Sequence, residues 1–187
     1  MSNYDELRET LIGSTEVFRG RILTLTVDTV RLPDGREATR EVVHHNGAVG
    51  MVALADDGDV LLVRQWRHAP GVALLEIPAG AISRGEQAED CARRESAEEI
   101  GFVPRRIDRL TTMYSAPGYV GEAIHLYLVR DLLPEQADGD EDENLQVERL
   151  TLAEALAACR DGRICDGKSI AALMLARDFL QNETARR

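Results

Sequence analysis

Between Gly80 and Phe102 the chain reads GAISRGEQAEDCARRESAEEIGF. Gly80 is followed by Gly85-Glu86, then by Arg94-Glu95 and Glu98-Glu99, and Gly101 closes the run. Glu86 to Ile100 reads as a helix, with Gly101 where a left-handed C-terminal cap falls. Residues three and four apart share a helical face, so Glu95 projects beside Glu98 and Glu99. Carboxylates crowded in this way repel one another unless something positive sits among them. A hard divalent cation such as Mg²⁺, which prefers oxygen ligands, meets that need. A solvated acidic face, with Arg93 and Arg94 as ion-pair partners, accounts for these residues singly. The spacing G-x5-E-x7-R-E-x2-E-E-x-G accounts for them together, as a site.

In that spacing the run resembles the Nudix box, the signature of the Nudix hydrolases, at every polar and glycine position. One apolar position departs, with Ser96 where the family usually has an aliphatic residue, on the side expected to face a sheet. The resemblance implies Glu95, Glu98 and Glu99 as metal ligands, with the backbone carbonyl of Ala79 beside them. It implies Mg²⁺ as the ion, with Mn²⁺ as a substitute. Arg94 and Glu86 are expected to orient the ligands rather than bind metal. Gly80 and Gly85 supply backbone freedom in the loop.

Three further stretches are similar to the ADP-ribose pyrophosphatase branch of that family: Val63-Arg64-Gln65-Trp66-Arg67, Glu76-Ile77-Pro78-Ala79-Gly80, and Ser115-Ala116-Pro117-Gly118 with Glu122. In that branch a proline lies about fifteen residues past the box, and Pro117 is fifteen past Phe102. The branch's loop is usually S-P-G-x-x-x-E; here Ala116 precedes the proline while Glu122 keeps its offset. Glu122 is thereby the candidate general base, on a loop expected to be mobile and to close over substrate. Glu99 and Glu95 complete the catalytic set. A strand-end arginine is more often a surface ion pair, but guanidinium also matches phosphate geometry bidentately, and the resemblance makes Arg64, with Arg67, a substrate-binding candidate. Pro117, Gly118, and Arg40 with Glu41 in the N-terminal segment join them by resemblance. Trp66 could stack a base, though packing in a core or interface suits it equally. The four histidines have no common ligand spacing.

The reaction implied is hydrolysis of ADP-ribose to AMP and ribose 5-phosphate. Its rivals are another substrate, such as a GDP-sugar or a dinucleotide polyphosphate, and a sensor that binds ADP-ribose without cleaving it. A sensor would be expected to have a damaged box and an added basic domain. The resemblance also implies a homodimer formed through N-terminal strands.

These residues need elements to position them. The fold expected is α/β (α+β), an α/β/α sandwich around a mixed sheet, with a small antiparallel β extension at the N-terminus. The extension spans residues 1–45 and the hydrolase domain 46–187. Residues 1 to about 14 read as a loosely held start, and Leu32-Pro33-Asp34-Gly35 as a turn between strands. Val60 to Val63 is wholly apolar, which suits a strand buried on both faces. Thr151 with Glu154 forms a capping box before an amphipathic helix, and a final helix runs from about Ser169 to Gln181. Glu135 to Asn144 reads as an acidic surface loop.

Composition narrows the partners. The chain has 187 residues, a formal net charge of −11 and a 44% apolar share, enough for a core yet acidic enough to repel nucleic acid and anionic membranes. Cys91, Cys159 and Cys165 form no ligand motif, and a reducing cytoplasm fits them. No segment approaches the ~20 apolar residues of a membrane span.

Overall fold

The structure is a computed structural model that describes residues 4–135, 137, 139 and 144–186. The expected acidic loop from Glu135 to Asn144 lies largely outside the described residues. The chain forms two compact units. One comprises the segment through Asn46 together with Tyr114–Glu122; the other comprises Gly47–Met113 and the chain from Ala123 onward. The 114–122 loop thus returns to the first unit. Backbone bonding explains the return: Val43 N–H donates to Tyr119 O at 2.8 Å, and Gly121 N–H donates to Val43 O at 2.9 Å.

In the first unit a 3₁₀ turn, Asp5–Leu7, precedes β1 (Thr10–Arg19), β2 (Thr24–Arg31) and β3 (Glu37–His44). They form an antiparallel sheet in the order β1-β2-β3. The first strand begins at Thr10, inside the segment expected to be loosely held, because its backbone pairs with β2 from Thr10 to Arg19. Gly35, at φ 86°, closes the β2–β3 turn, donating its N–H to Leu32 O at 2.9 Å. Every residue of β1 is exposed in the single chain.

The second unit is built on β4 (Ala48–Leu54), β5 (Asp59–Arg67), β6 (Val72–Glu76), β7 (Ala79–Ala81), β8 (Phe102–Tyr114), β9 (Ala123–Pro134) and β10 (Leu145–Thr151). The order is β10-β5-β4-β9-β8, with β6 on β5 and β7 on β4. The sheet is mixed, because β4 and β9 run parallel while β5 is antiparallel to β4, β6 and β10. Helices α1 (Ala88–Ile100), α2 (Leu152–Asp161) and α3 (Gly167–Ala185) cover it.

Alternate residues of the central strands feed two cores, as period-two geometry requires. Val52, Val60, Leu62, Leu126 and Leu128 pack with α2 and α3, whereas Met51, Leu61, Val63 and Val129 pack with Cys91, Ala92 and Ile100 of α1. Val60 to Val63 is buried on both faces, as its composition predicts. The capping box of α2 forms as expected: Glu154 N–H donates to Thr151 Oγ1 while the Glu154 carboxylate accepts from Thr151 N–H. α3 is longer than expected, starting at Gly167 because Asp166 caps it through Ser169 N–H. No described helix is long and apolar enough to cross a membrane.

Candidate active site

Helix α1 sits on the sheet through Cys91, Ala92, Ile100 and two glutamates. Glu95 and Glu99 lie one turn apart on its buried face, 7% and 3% exposed. Burying a carboxylate is costly unless it is compensated by hydrogen bonds or a counter-charge, and each of these accepts a hydrogen bond. Glu99 Oε2 accepts the Ala79 N–H at 2.9 Å, and Glu95 Oε1 accepts from Arg94 Nη1 at 2.8 Å.

Arg94 is the hub. Its Nη1 also donates to Glu98 Oε2 at 2.8 Å, and its Nε and Nη2 grip Glu86 at 2.9 and 3.1 Å. The charge repulsion among the box carboxylates is relieved in this structure by that guanidinium. Arg94 raises its own pKa by the same contacts, first through Glu86. In turn the Arg94 hydrogen bond holds the Glu86 carboxyl down at about 2. Glu86 also accepts the Ser83 N–H at 2.9 Å, closing the turn that leads into α1. Gly101 ends the helix in the left-handed region, φ 75°, as its position predicts.

The loop before the helix is shaped for these glutamates. Gly80 pairs with Val49 across β7 and β4, and a Cβ built on Gly80 would stand 1.8 Å from the Glu95 carboxyl carbon. Only a glycine leaves that space open. Two buried carboxylates, a third beside them on Glu98, and an adjacent backbone segment make an all-oxygen donor set. Its chemistry suits a hard divalent cation. Among the described residues no three His, Cys, Asp or Glu side chains stand in a ready-made metal cluster; Arg94 takes one oxygen each of Glu95 and Glu98. A cavity of about 460 Å³ opens beside Glu98 and Glu99.

The other expected residues are distributed as follows. Arg64, near the end of β5, reaches across to β10 and bonds Glu148 at 2.5 and 3.3 Å. Arg67 makes both its bonds to Glu76, at 2.8 and 2.9 Å. Trp66 is 62% exposed in the single chain, so a core role is ruled out. In the first unit Arg40 is paired with Glu9, and its neighbour Glu41 is exposed. Pro117 and Gly118 lie in the turn where Tyr119 N–H and Val120 N–H donate to Ala116 O. Glu122 Oε1 stands 3.5 Å from His45 Nδ1. The loop expected to be mobile is thus bonded along its length, to itself and to Val43 of β3. His44 bonds Thr26 at 2.9 Å and His125 bonds Thr112 at 2.8 Å. Burial pushes the Cys91 thiol up to about 12, consistent with a small core residue.

Residues 44–173 match the family described as NUDIX domain. The chain belongs to the Nudix family. Residues 9–43 match the nucleoside diphosphate sugar hydrolase N-terminal domain, which coincides with the β1–β3 sheet. Among relatives of this Nudix chain, the ADP-ribose pyrophosphatase of Bacillus subtilis (strain 168) is 36% identical over 169 residues, covering 89% of this chain and 91% of that protein. The methanol dehydrogenase activator of Bacillus methanolicus is 38% identical over 167 residues, with 88% and 90% covered. A solved ADP compounds hydrolase superposes with a TM-score of 0.85 at 27% identity, over 94% of this chain and 96% of the other. Nudix hydrolases generally need divalent metal ions, which the oxygen-rich box of this chain fits.

Sequence reasoning assigned no role in the site to Glu76, Asp166, Lys168 or Ser169. A signal was present: an acidic residue in the apolar run Leu74-Leu75-Glu76-Ile77 must find a cation if that strand is buried.

Proposed function

We propose that this chain hydrolyses the diphosphate bond of ADP-ribose, giving AMP and ribose 5-phosphate, with Mg²⁺ as the ion and Mn²⁺ able to substitute. The observation that carries the reading is the pair Glu95 and Glu99, buried one turn apart against Gly80 and Ala79. Glu95, Glu98 and Glu99, with the Ala79 carbonyl, would hold the ion. When bound, it would neutralise phosphate oxygens and lower the pKa of a coordinated water. Water oxygen bonds to one phosphorus as the bridging P–O bond breaks, and each product leaves with its own phosphate. Glu122 takes the water's proton, with Glu99 the alternative acceptor. Arg94 and Glu86 hold the glutamates in place. Arg64, half-exposed and paired at the surface with Glu148, turns to the diphosphate; Arg40, Glu41, Pro117 and Gly118 border the substrate.

The similarity to an ADP-ribose pyrophosphatase over most of the chain supports this substrate. A GDP-sugar or dinucleotide polyphosphate is the alternative within the same chemistry, and the match to a nucleoside diphosphate sugar hydrolase N-terminal domain supports its sugar version. A non-cleaving ADP-ribose sensor is disfavoured by the intact acidic positions of the box.

The reading includes a cytoplasmic homodimer. Supporting it, Leu11, Val17 and Phe18 of β1 are each more than half exposed in the single chain, an apolar edge that pairing with a second copy would cover. The cysteines are free.

A side-by-side assay of ADP-ribose, ADP-glucose, GDP-mannose and diadenosine polyphosphates, with Mg²⁺ and with EDTA, tests the substrate. Metal-dependent cleavage highest for ADP-ribose supports the proposal. A preference for another nucleotide keeps the chemistry and replaces the substrate; tight binding without cleavage moves the reading to the sensor.

A further inference from the structure

Behind the segment that carries Ala79 and Gly80 lies a network of charges absorbed neither by the box nor by the proposed substrate contacts. Glu76, the last residue of β6, is 1% exposed. Its carboxylate receives both bonds of Arg67 and a third from Lys168 Nζ. Lys168 also donates to Asp166 Oδ2 at 2.9 Å. That same oxygen caps α3, accepting from Ser169 N–H at 3.0 Å and from Ser169 Oγ at 2.6 Å. Ser169, 0% exposed, in turn accepts the Ile77 N–H at 2.9 Å. The first turn of α3 therefore holds two successive residues at the strand's end, Glu76 by its side chain and Ile77, just beyond β6, by its backbone.

The next two residues complete the connection. Pro78 O accepts the Met51 N–H at 2.9 Å, and Ala79 N–H donates to Glu99. The Arg67 guanidinium is kept charged first by Glu76 and also, at longer range, by Glu99 and Asp166. Two acids and two bases balance, so the network carries no net charge. Buried ion networks add little net stability compared with well-packed apolar side chains. What such a network does impose is register, because Glu76 cannot move without stranding a buried carboxylate.

We infer that Ser169, Lys168, Asp166, Glu76 and Arg67 are positioning residues of the hydrolase site: the start of α3 clamps the strand end so that Ala79 N–H meets the Glu99 carboxylate. The inference rests on the reading of Glu99 as a working glutamate of the site. Losing the clamp lets the Glu76–Gly80 segment shift, and both Glu99 and the space over Gly80 occupied by Glu95 shift with it. The cost falls on turnover and metal affinity, as it does when groups supporting metal ligands are removed.

The test compares wild type with Ser169→Ala, which removes one hydroxyl, and Lys168→Met, which removes the cation but keeps the stem. Steady-state kinetics and Mg²⁺ titrations are combined with amide hydrogen exchange on the metal-free, substrate-free protein. In both variants kcat or the Mg²⁺ midpoint should worsen roughly 10–100-fold with little change in KM. Exchange at the Ala79 amide should accelerate at least about tenfold while Leu62 and Leu128 keep their protection. Wild-type exchange at Ala79 in a folded variant overturns the clamp, as does loss of protection spread evenly through the core. Glu99→Gln separates this from the reading beneath it: wild-type turnover there removes the role of Glu99, whereas the Ala79 exchange result stands or falls independently.

Discussion

The Glu95 carboxylate occupies the space where a side chain on Gly80 would begin, 1.8 Å from the Cβ position. The two residues are fifteen apart in sequence yet define one surface, since β7 pairs with β4 and α1 packs over both. Gly80 is in extended pairing rather than the left-handed region, so its requirement is space, not backbone freedom. Gly80→Ala should fold, because the obstructing atoms end a flexible side chain. It should nevertheless displace the Glu95 carboxylate, and a displacement on the order of 1 Å costs about 100-fold in rate. Circular dichroism and kcat measured on the same preparation check both halves.

Glu99→Gln and Glu95→Gln should each nearly abolish turnover while leaving the protein folded. Arg94→Lys tests the hub differently: an ammonium cannot grip Glu86 through two nitrogens while also reaching Glu95 and Glu98. Activity should fall by at least about tenfold. Wild-type rates in Glu99→Gln would remove the proposed metal site.

Glu122→Gln should lower kcat more than it alters KM, because a proton acceptor acts in the transition state and not in ground-state binding. A change confined to KM would leave Glu122 as a binding group, and the base would have to be sought elsewhere.

Ser96 is fully buried, and its hydroxyl finds no hydrogen-bond partner among the described residues. An unsatisfied buried hydroxyl costs about 1–3 kcal/mol. Ser96→Ala should therefore leave the protein as stable or raise its unfolding free energy by about 1 kcal/mol, read by chemical denaturation. A loss of stability would mean that the hydroxyl is bonded after all.

Acid should expose the Glu86–Arg94 pair. The Glu86 carboxyl titrates at about 2 in the fold against an ordinary 4.5, so the folded state favours its ionised form. That contribution is fully present above about pH 4.5. It is lost as pH falls toward 2, where folded and unfolded chains both bind the proton. Thermal melts from pH 6 to 2 should show a decline below 4.5 that is shallower in Glu86→Gln. Equal slopes would assign the acid sensitivity to other carboxylates, Glu183 among them.

Much of this was legible in the chain itself. The helix of the box, its glycine cap, the doubly buried strand Val60 to Val63 and the capping box at Thr151 all rest on local rules: periodicity, chain reversal and terminal hydrogen bonds. Such rules act within a few residues, so type and spacing suffice to read them. The arrangement of glutamates on one helical face was readable for the same reason.

Contacts between residues distant in sequence belonged to the tertiary structure. Sequence could not say that one guanidinium, Arg94, would hold Glu86, Glu95 and Glu98 together, that Arg64 and Arg67 would close on Glu148 and Glu76, or that residues 114–122 would join the first unit. Nor could it bring Asp166 and Ser169 to Ile77, more than eighty residues away. Side-chain chemistry determined what each of these groups could do. Which of several acids each base would meet, and which backbone N–H each glutamate would hold, was decided by the packing of the sheet between α1 and α3. Only there does the cost of a buried charge select its partners.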